Sequence, residues 1–156
     1  MIGHPPGVRE TFPFQKGHLL IGDSLPEIQK KVIQEDINLY AKASRDFNPI
    51  HLDEEFAKKT AAGGTIAHGM LILAYVSQML TEAFGSSWLT GGRLNVRFKA
   101  PARPGDSISV QGKVKKIQND PAVIVVICDV LCSNQKGETV ISGEAAVRIK
   151  KDENIS

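Results

Sequence analysis

The segment that most limits what this chain can become is Gly69 to Phe84, GMLILAYVSQMLTEAF, which is apolar almost all round a helical wheel. An ordinary surface helix carries one apolar stripe and one polar face. A helix without the polar face has to be enclosed on several sides, yet this one falls short of the roughly 18 apolar residues that a membrane span needs. The rest of the fold must therefore wrap it. Ala61-Ala62-Gly63-Gly64 breaks the chain ahead of the segment, and Gly85 supplies its C′ stop.

The second half of the chain reads as the wrapper. Arg93 to Lys99 alternates, with Leu94, Val96 and Phe98 on one face. Ser107 to Ile117 alternates again, setting Ile108, Val110, Gly112 and Val114 against Ser109, Gln111, Lys113 and Lys115. Ala122 to Cys132 is a near-continuous apolar strand, and Glu138 to Ile149 closes with Ile141, Ala145, Val147 and Ile149 inward. Turn clusters at 101–106, 119–121 and 134–137 separate these runs. Four long strands joined by short turns after one buried helix predict an α+β fold, a single antiparallel sheet curled around that helix.

Upstream, Leu19 to Ile21 and Glu27 to Ile33 read as short strands around a Gly22-Asp23 turn. Gln34 to Ser44 is helical, with acidic residues in its first turn and Ile37, Tyr40 and Ala41 as its stripe. Asp53 is placed to cap a short helix over 54–60. The domain is expected over 17–150, between an N-terminal arm at 1–16 and a tail at 151–156.

Composition removes several functions. Nineteen basic and 17 acidic residues leave a net charge of +2, which gives no reason to expect nucleic acid. Residues 1–16 hold three prolines and no apolar run, so no signal peptide is expected and the cytoplasm is the default. Cys128 and Cys132 would share a strand face about 13 Å apart, too far to bridge. His4, His18, His51 and His68 lack zinc-ligand spacing, so no metal is expected.

The chemistry concentrates in Ser44-Arg45-Asp46-Phe47-Asn48-Pro49-Ile50-His51. Pro49 stiffens a turn that presents Asp46 and His51 five residues apart, and it biases Asn48 to extended backbone. On one stiff loop, a carboxylate and an imidazole can share a water and move its proton. Equally, Asp46 can simply cap a turn while His51 is a satisfied, partly buried histidine.

The Asp46-x-Asn48-Pro49-x-His51 run is followed by Asp53, Phe56, Ala57 and then Ile66-Ala67-His68-Gly69-Met70. Phe98-Lys99-Ala100-Pro101 and Gly105-Asp106 come later in the expected order. Over roughly residues 18–149 this pattern resembles the MaoC-like (R)-specific enoyl-CoA hydratases, which implies a hot-dog fold. The resemblance implies reversible addition of water to a trans-2-enoyl thioester, with no cofactor and with an acyl-CoA as the substrate. It implies that Asp46 and His51 hold the attacking water, that Gly69 meets the thioester oxygen, and that Ser77 is a third catalytic residue. Ser77 lies roughly 12 Å further along the helix than Gly69, at about 1.5 Å per residue.

Asn48 is expected to brace the loop and His68 to line the pocket or serve the structure. Arg97 and Lys99, with Arg93, Arg103 and Lys113, are candidates for the coenzyme A phosphates. An open sheet edge further predicts a homodimer or higher homo-oligomer. Arg45 departs from the family pattern, which has glycine there, so a positive φ would strain it. Two other functions stay open. A hot-dog thioesterase would use an acidic residue on the buried helix, where only Glu82 stands, near its end. A non-catalytic acyl-thioester-binding subunit would have no need of the Asp46/His51 pair.

Overall fold

The computed structural model describes residues 19–151. The expected arm at 1–16, and the tail beyond Lys151, lie outside the described residues. Ten elements follow in order: β1 (Ile28–Lys31), α1 (Gln34–Ser44), α2 (Pro49–Leu52), α3 (Glu54–Lys58), α4 (Gly69–Phe84), α5 (Ser86–Gly91), β2 (Gly92–Phe98), β3 (Ser107–Asn119), β4 (Val123–Ser133) and β5 (Thr139–Lys150). The strands form one antiparallel sheet in the order β1-β3-β4-β5-β2, and α4 lies against it. This is the hot-dog arrangement.

Alternation in the strands matches the side of the sheet that α4 covers. Ile108, Val110, Val114, Val126, Cys128, Val130, Cys132, Ile141, Ala145 and Val147 are buried on that face. Gly112 sits among them because a Cβ there would collide with Leu25 and with the Met79 methyl, so a bare backbone lets α4 approach. Both cysteines are free, and burial pushes their thiols up to about 12.

Two expectations need correction. Leu19 to Ile21 is not a strand. Gly22 takes φ 95°, Asp23 accepts the Leu20 N–H through its carboxylate, and a local turn replaces extended pairing. Between the turn and β1 the chain meets β3 through an isolated bridge and single backbone bonds. Nor is α4 enclosed all round. The sheet covers Ile72, Tyr75, Val76, Met79, Leu80, Ala83 and Phe84, while Met70 stays 57% exposed and Ala74 and Gln78 are open. Five strands wrap one side of a helix; the remaining stripe keeps its apolar residues without cover from the described chain. The short helices α2 and α5 were not foreseen, since four to six residues are too few to show periodicity.

Candidate active site

The loop from Arg45 to Leu52 crosses the N-terminal end of α4. Helix α1 ends at Arg45 in the left-handed region, φ 62° and ψ 19°, the only non-glycine positive φ among the described residues. That reversal turns Asp46 back over the core. The Asp46 Oδ1 then accepts the Asn48 N–H at 3.2 Å, and the Asn48 Oδ1 accepts the Ile50 N–H at 3.1 Å. Pro49 occupies the first turn of α2, where its missing N–H costs nothing. These linked turns carry His51 to a fixed place.

His51 is oriented through its other ring nitrogen. Its Nδ1 lies 2.7 Å from the Ile66 carbonyl. A carbonyl only accepts, so Nδ1 carries the hydrogen, and in the neutral ring the Nε2 lone pair is free. That Nε2 faces the Asp46 Oδ2 across 3.9 Å, with His51 nearly buried and Asp46 half exposed. The separation is beyond a hydrogen bond but is one that a single oxygen bonded to both can span. Asp46 thus does both of the things its sequence context allowed: one oxygen caps a turn and the other faces His51.

His68 lies underneath. Its ring stacks on His51 at 3.8 Å between centroids, 26° between planes, and its Nε2 donates to the Asp46 carbonyl at 3.0 Å. Tyr40 packs on it at 4.9 Å. The His68 Nδ1 is buried without a hydrogen-bond partner. His68 is therefore set behind His51, outside the residues that line the neighbouring cavity.

Donor atoms of Asp46, His51 and His68 lie within 4.8 Å of one another, a proximity that the histidine spacing in sequence hid. The group suits proton handling better than metal binding. Two of its four imidazole nitrogens are committed to carbonyls. Rings stacked with planes this close to parallel cannot both aim an in-plane lone pair at one ion about 2 Å away.

The cavity beside His51 has a volume of about 360 Å³ and is walled by Gly69, Ile72, Phe98, Lys99, Ala102 and Val140, among others. Helix α4 opens onto it. No side chain caps the helix, so the first N–H groups point toward the cavity end with the positive pole of the dipole. Gly69 matters for space as well: a Cβ there would stand 3.0 Å from the Phe98 Cε1.

The remaining expected residues are spread further out. Ser77 does not line this cavity; its Oγ accepts the Trp88 indole N–H at 2.9 Å. A buried indole N–H needs an acceptor, and the Ser77 hydroxyl supplies it. Lys99 reaches both the cavity and a polar groove formed with Asn95, Arg97, Ser142 and Glu144. Gln34, which bonds the His51 carbonyl, and Thr65, which bonds Gln34, carried no sequence signal.

Known proteins are similar to this chain in sequence and in fold. The family model for the MaoC like domain matches residues 19–135. The chain is 33% identical over 132 residues to the 3-hydroxybutyryl-CoA dehydratase of Methylorubrum extorquens, covering 83% of this chain and 81% of that one. It is 31% identical over 124 residues to the (R)-specific enoyl-CoA hydratase of Rhodospirillum rubrum, covering 78% and 83%. Among solved structures, the (R)-hydratase from A. caviae involved in PHA biosynthesis superposes with a TM-score of 0.72 at 28% identity, over 83% of this chain and 96% of that one. On sequence and on fold, the chain belongs to the MaoC-like domain family.

Proposed function

We propose that the chain catalyses the reversible addition of water to trans-2-enoyl thioesters, as an (R)-specific enoyl-CoA hydratase and 3-hydroxyacyl-CoA dehydratase. The observation that carries this reading is the free His51 Nε2 facing the Asp46 carboxylate across 3.9 Å, beside an uncapped helix start. A water held between the two groups has one hydrogen on the carboxylate and gives the other to the imidazole. Its oxygen adds to the β-carbon while negative charge moves to the thioester oxygen. The N–H of Gly69 and the pole of α4 face that charge. The proton returned from His51 to the α-carbon restores the neutral ring, so no external acid is consumed.

Ser77 lies outside the cavity, so its part in the reaction, through the O–H left over when its oxygen accepts from Trp88, is smaller than that of the acid–base pair. Asn48 braces the loop and His68 supports it from beneath. Lys99 and Arg97 suit the phosphates of coenzyme A, and on that reading KM rises with ionic strength while kcat holds. A salt-independent KM removes these two residues from the site. The open stripe of α4, with Phe47, Met70 and Phe98 all more than half exposed near the cavity, suits cover by a second copy. Light scattering at micromolar concentration should then give a homodimer or larger, and a monomeric mass would remove that part. Buried, reduced thiols accord with a cytoplasmic setting.

Crotonyl-CoA tests the reaction directly. Loss of the enoyl-thioester absorbance without release of free thiol is the expected result. Release of thiol would favour a thioesterase instead, and neither change would favour a non-catalytic acyl-thioester-binding subunit.

A further inference from the structure

We propose that Gln34 and Thr65 form a clamp that positions His51 and fixes which of its nitrogens is the base; the proposal rests on the hydratase reading only in taking His51 as that base. The Gln34 amide makes three hydrogen bonds. Its Nε2 donates to the His51 carbonyl at 2.8 Å and to the Asn38 Oδ1 at 3.0 Å, and its Oε1 accepts the Thr65 hydroxyl at 3.0 Å. One side chain on α1 thereby ties the backbone of the catalytic loop to the segment that precedes α4.

That segment is what orients the imidazole. Thr65, itself 6% exposed, donates its N–H to the Glu54 Oε2 at 2.9 Å. The Ile66 N–H donates to the Ile50 carbonyl at 3.2 Å, and the Ile66 carbonyl receives the His51 Nδ1–H at 2.7 Å. The Thr65-Ile66 dipeptide is thus held at three points and delivers one carbonyl to the ring. The backbone hydrogen bond from Thr65 holds the Glu54 carboxyl below its usual range.

In this arrangement a backbone carbonyl does what a buried carboxylate does in other histidine bases: it holds one tautomer and one ring orientation. A carbonyl is held only as firmly as its own segment. Without the Thr65 hydroxyl or the Gln34 amide, the dipeptide and the His51 backbone lose their common anchor. The Ile66 carbonyl can then drift from Nδ1, and Nε2 no longer points steadily at Asp46. Gln34 and Thr65 do not line the cavity, so the cost falls on orientation and not on binding.

The test is ¹⁵N-histidine NMR combined with steady-state kinetics on the full chain. Wild-type His51 should show a protonated Nδ1 and an unprotonated Nε2. Thr65→Val keeps the size and removes the hydroxyl; it should give mixed tautomer signals and lower kcat about tenfold with KM little changed, within the ~100-fold that an ångström of misplacement can cost. Thr65→Ser restores the hydroxyl and should recover both readouts, which a merely structural role would not produce. Gln34→Met should behave as Thr65→Val does, and it carries the test if circular dichroism shows Thr65→Val unfolded. Wild-type tautomer signals with kcat unchanged in the folded variants overturn the clamp. A wild-type chain that leaves crotonyl-CoA unhydrated would instead remove the hydratase reading, leaving the tautomer signals to decide the clamp alone.

Discussion

The two halves of α4 treat their polar groups in opposite ways. At the N-terminal end no side chain caps the helix, the His68 Nδ1 is buried without a partner, and His51 and Asp46 face each other at 3.9 Å without bonding. Toward the C-terminal end the same helix is closed off. Ser77 accepts from Trp88, Thr81 donates back to the Ser77 carbonyl at 2.8 Å, and Gly85 at φ 56° donates to the Thr81 carbonyl at 2.7 Å. Both halves bury apolar residues against one sheet, so packing does not separate them. Satisfaction of hydrogen bonds does. An unsatisfied buried polar group costs about 1–3 kcal/mol, and the one such side-chain atom among the described residues, the His68 Nδ1, stands at the N-terminal end.

The comparison breaks most visibly at the open end. General acid–base groups contribute about 10²–10⁴-fold each, so Asp46→Asn and His51→Ala should each lower kcat by about that factor with KM changed far less. The double variant should be little worse than the poorer single one, because both groups serve one water. Stopped-flow hydration of crotonyl-CoA, with circular dichroism to confirm folding, measures this. Retention of more than about a third of wild-type kcat in both single variants, where the acid–base contribution should be 10²-fold or more, would show that another base acts.

The open end was also the more legible one in the sequence. Pro49 and Asn48 punctuate a turn whatever its surroundings, so the placement of Asp46 and His51 on one loop was readable from residues alone. The limits of α1 and the C′ role of Gly85 follow from local patterns in the same way. What could not be read was long-range. His51 and His68 stand 17 positions apart, and only the breaks at Gly63 and Gly64 fold one ring onto the other. Gln34 is an unremarked polar residue until the fold brings its amide to His51. The exposed stripe of α4 misled for a related reason: apolarity marks a surface for burial without saying which chain buries it.

At the closed end the expected effects fall on stability. Trp88 is 8% exposed and leaves no room for a Cβ at Gly92. Trp88→Ala should therefore destabilise by about 3–5 kcal/mol, the usual range for removing a buried large aromatic. Ser77→Ala strands the indole N–H and should cost about 1–3 kcal/mol in urea unfolding. Its effect on kcat should stay below the 10²-fold floor set for the acid–base pair. A larger kinetic loss, or an unchanged midpoint, would erase the difference between the two halves.

The smallest effect sharpens the comparison from the open side. Arg45 is held at φ 62° where the chain must reverse from α1 into the Asp46 turn. A left-handed conformation costs a residue with a Cβ about 1–2 kcal/mol, and glycine avoids most of that cost. Glycine also gains freedom in the unfolded chain, which offsets part of the benefit. Arg45→Gly should therefore stabilise the protein by a net of about 1 kcal/mol, read as a higher urea midpoint at unchanged slope. The same substitution removes a cation next to Asp46 without moving its carboxylate, since the turn bonds from the Asn48 and Ile50 N–H groups remain. Stability should rise while kcat stays within about threefold, far inside the range for losing an acid–base group. If kcat instead falls as far as in Asp46→Asn, the strained arginine itself belongs to the working geometry of the open end.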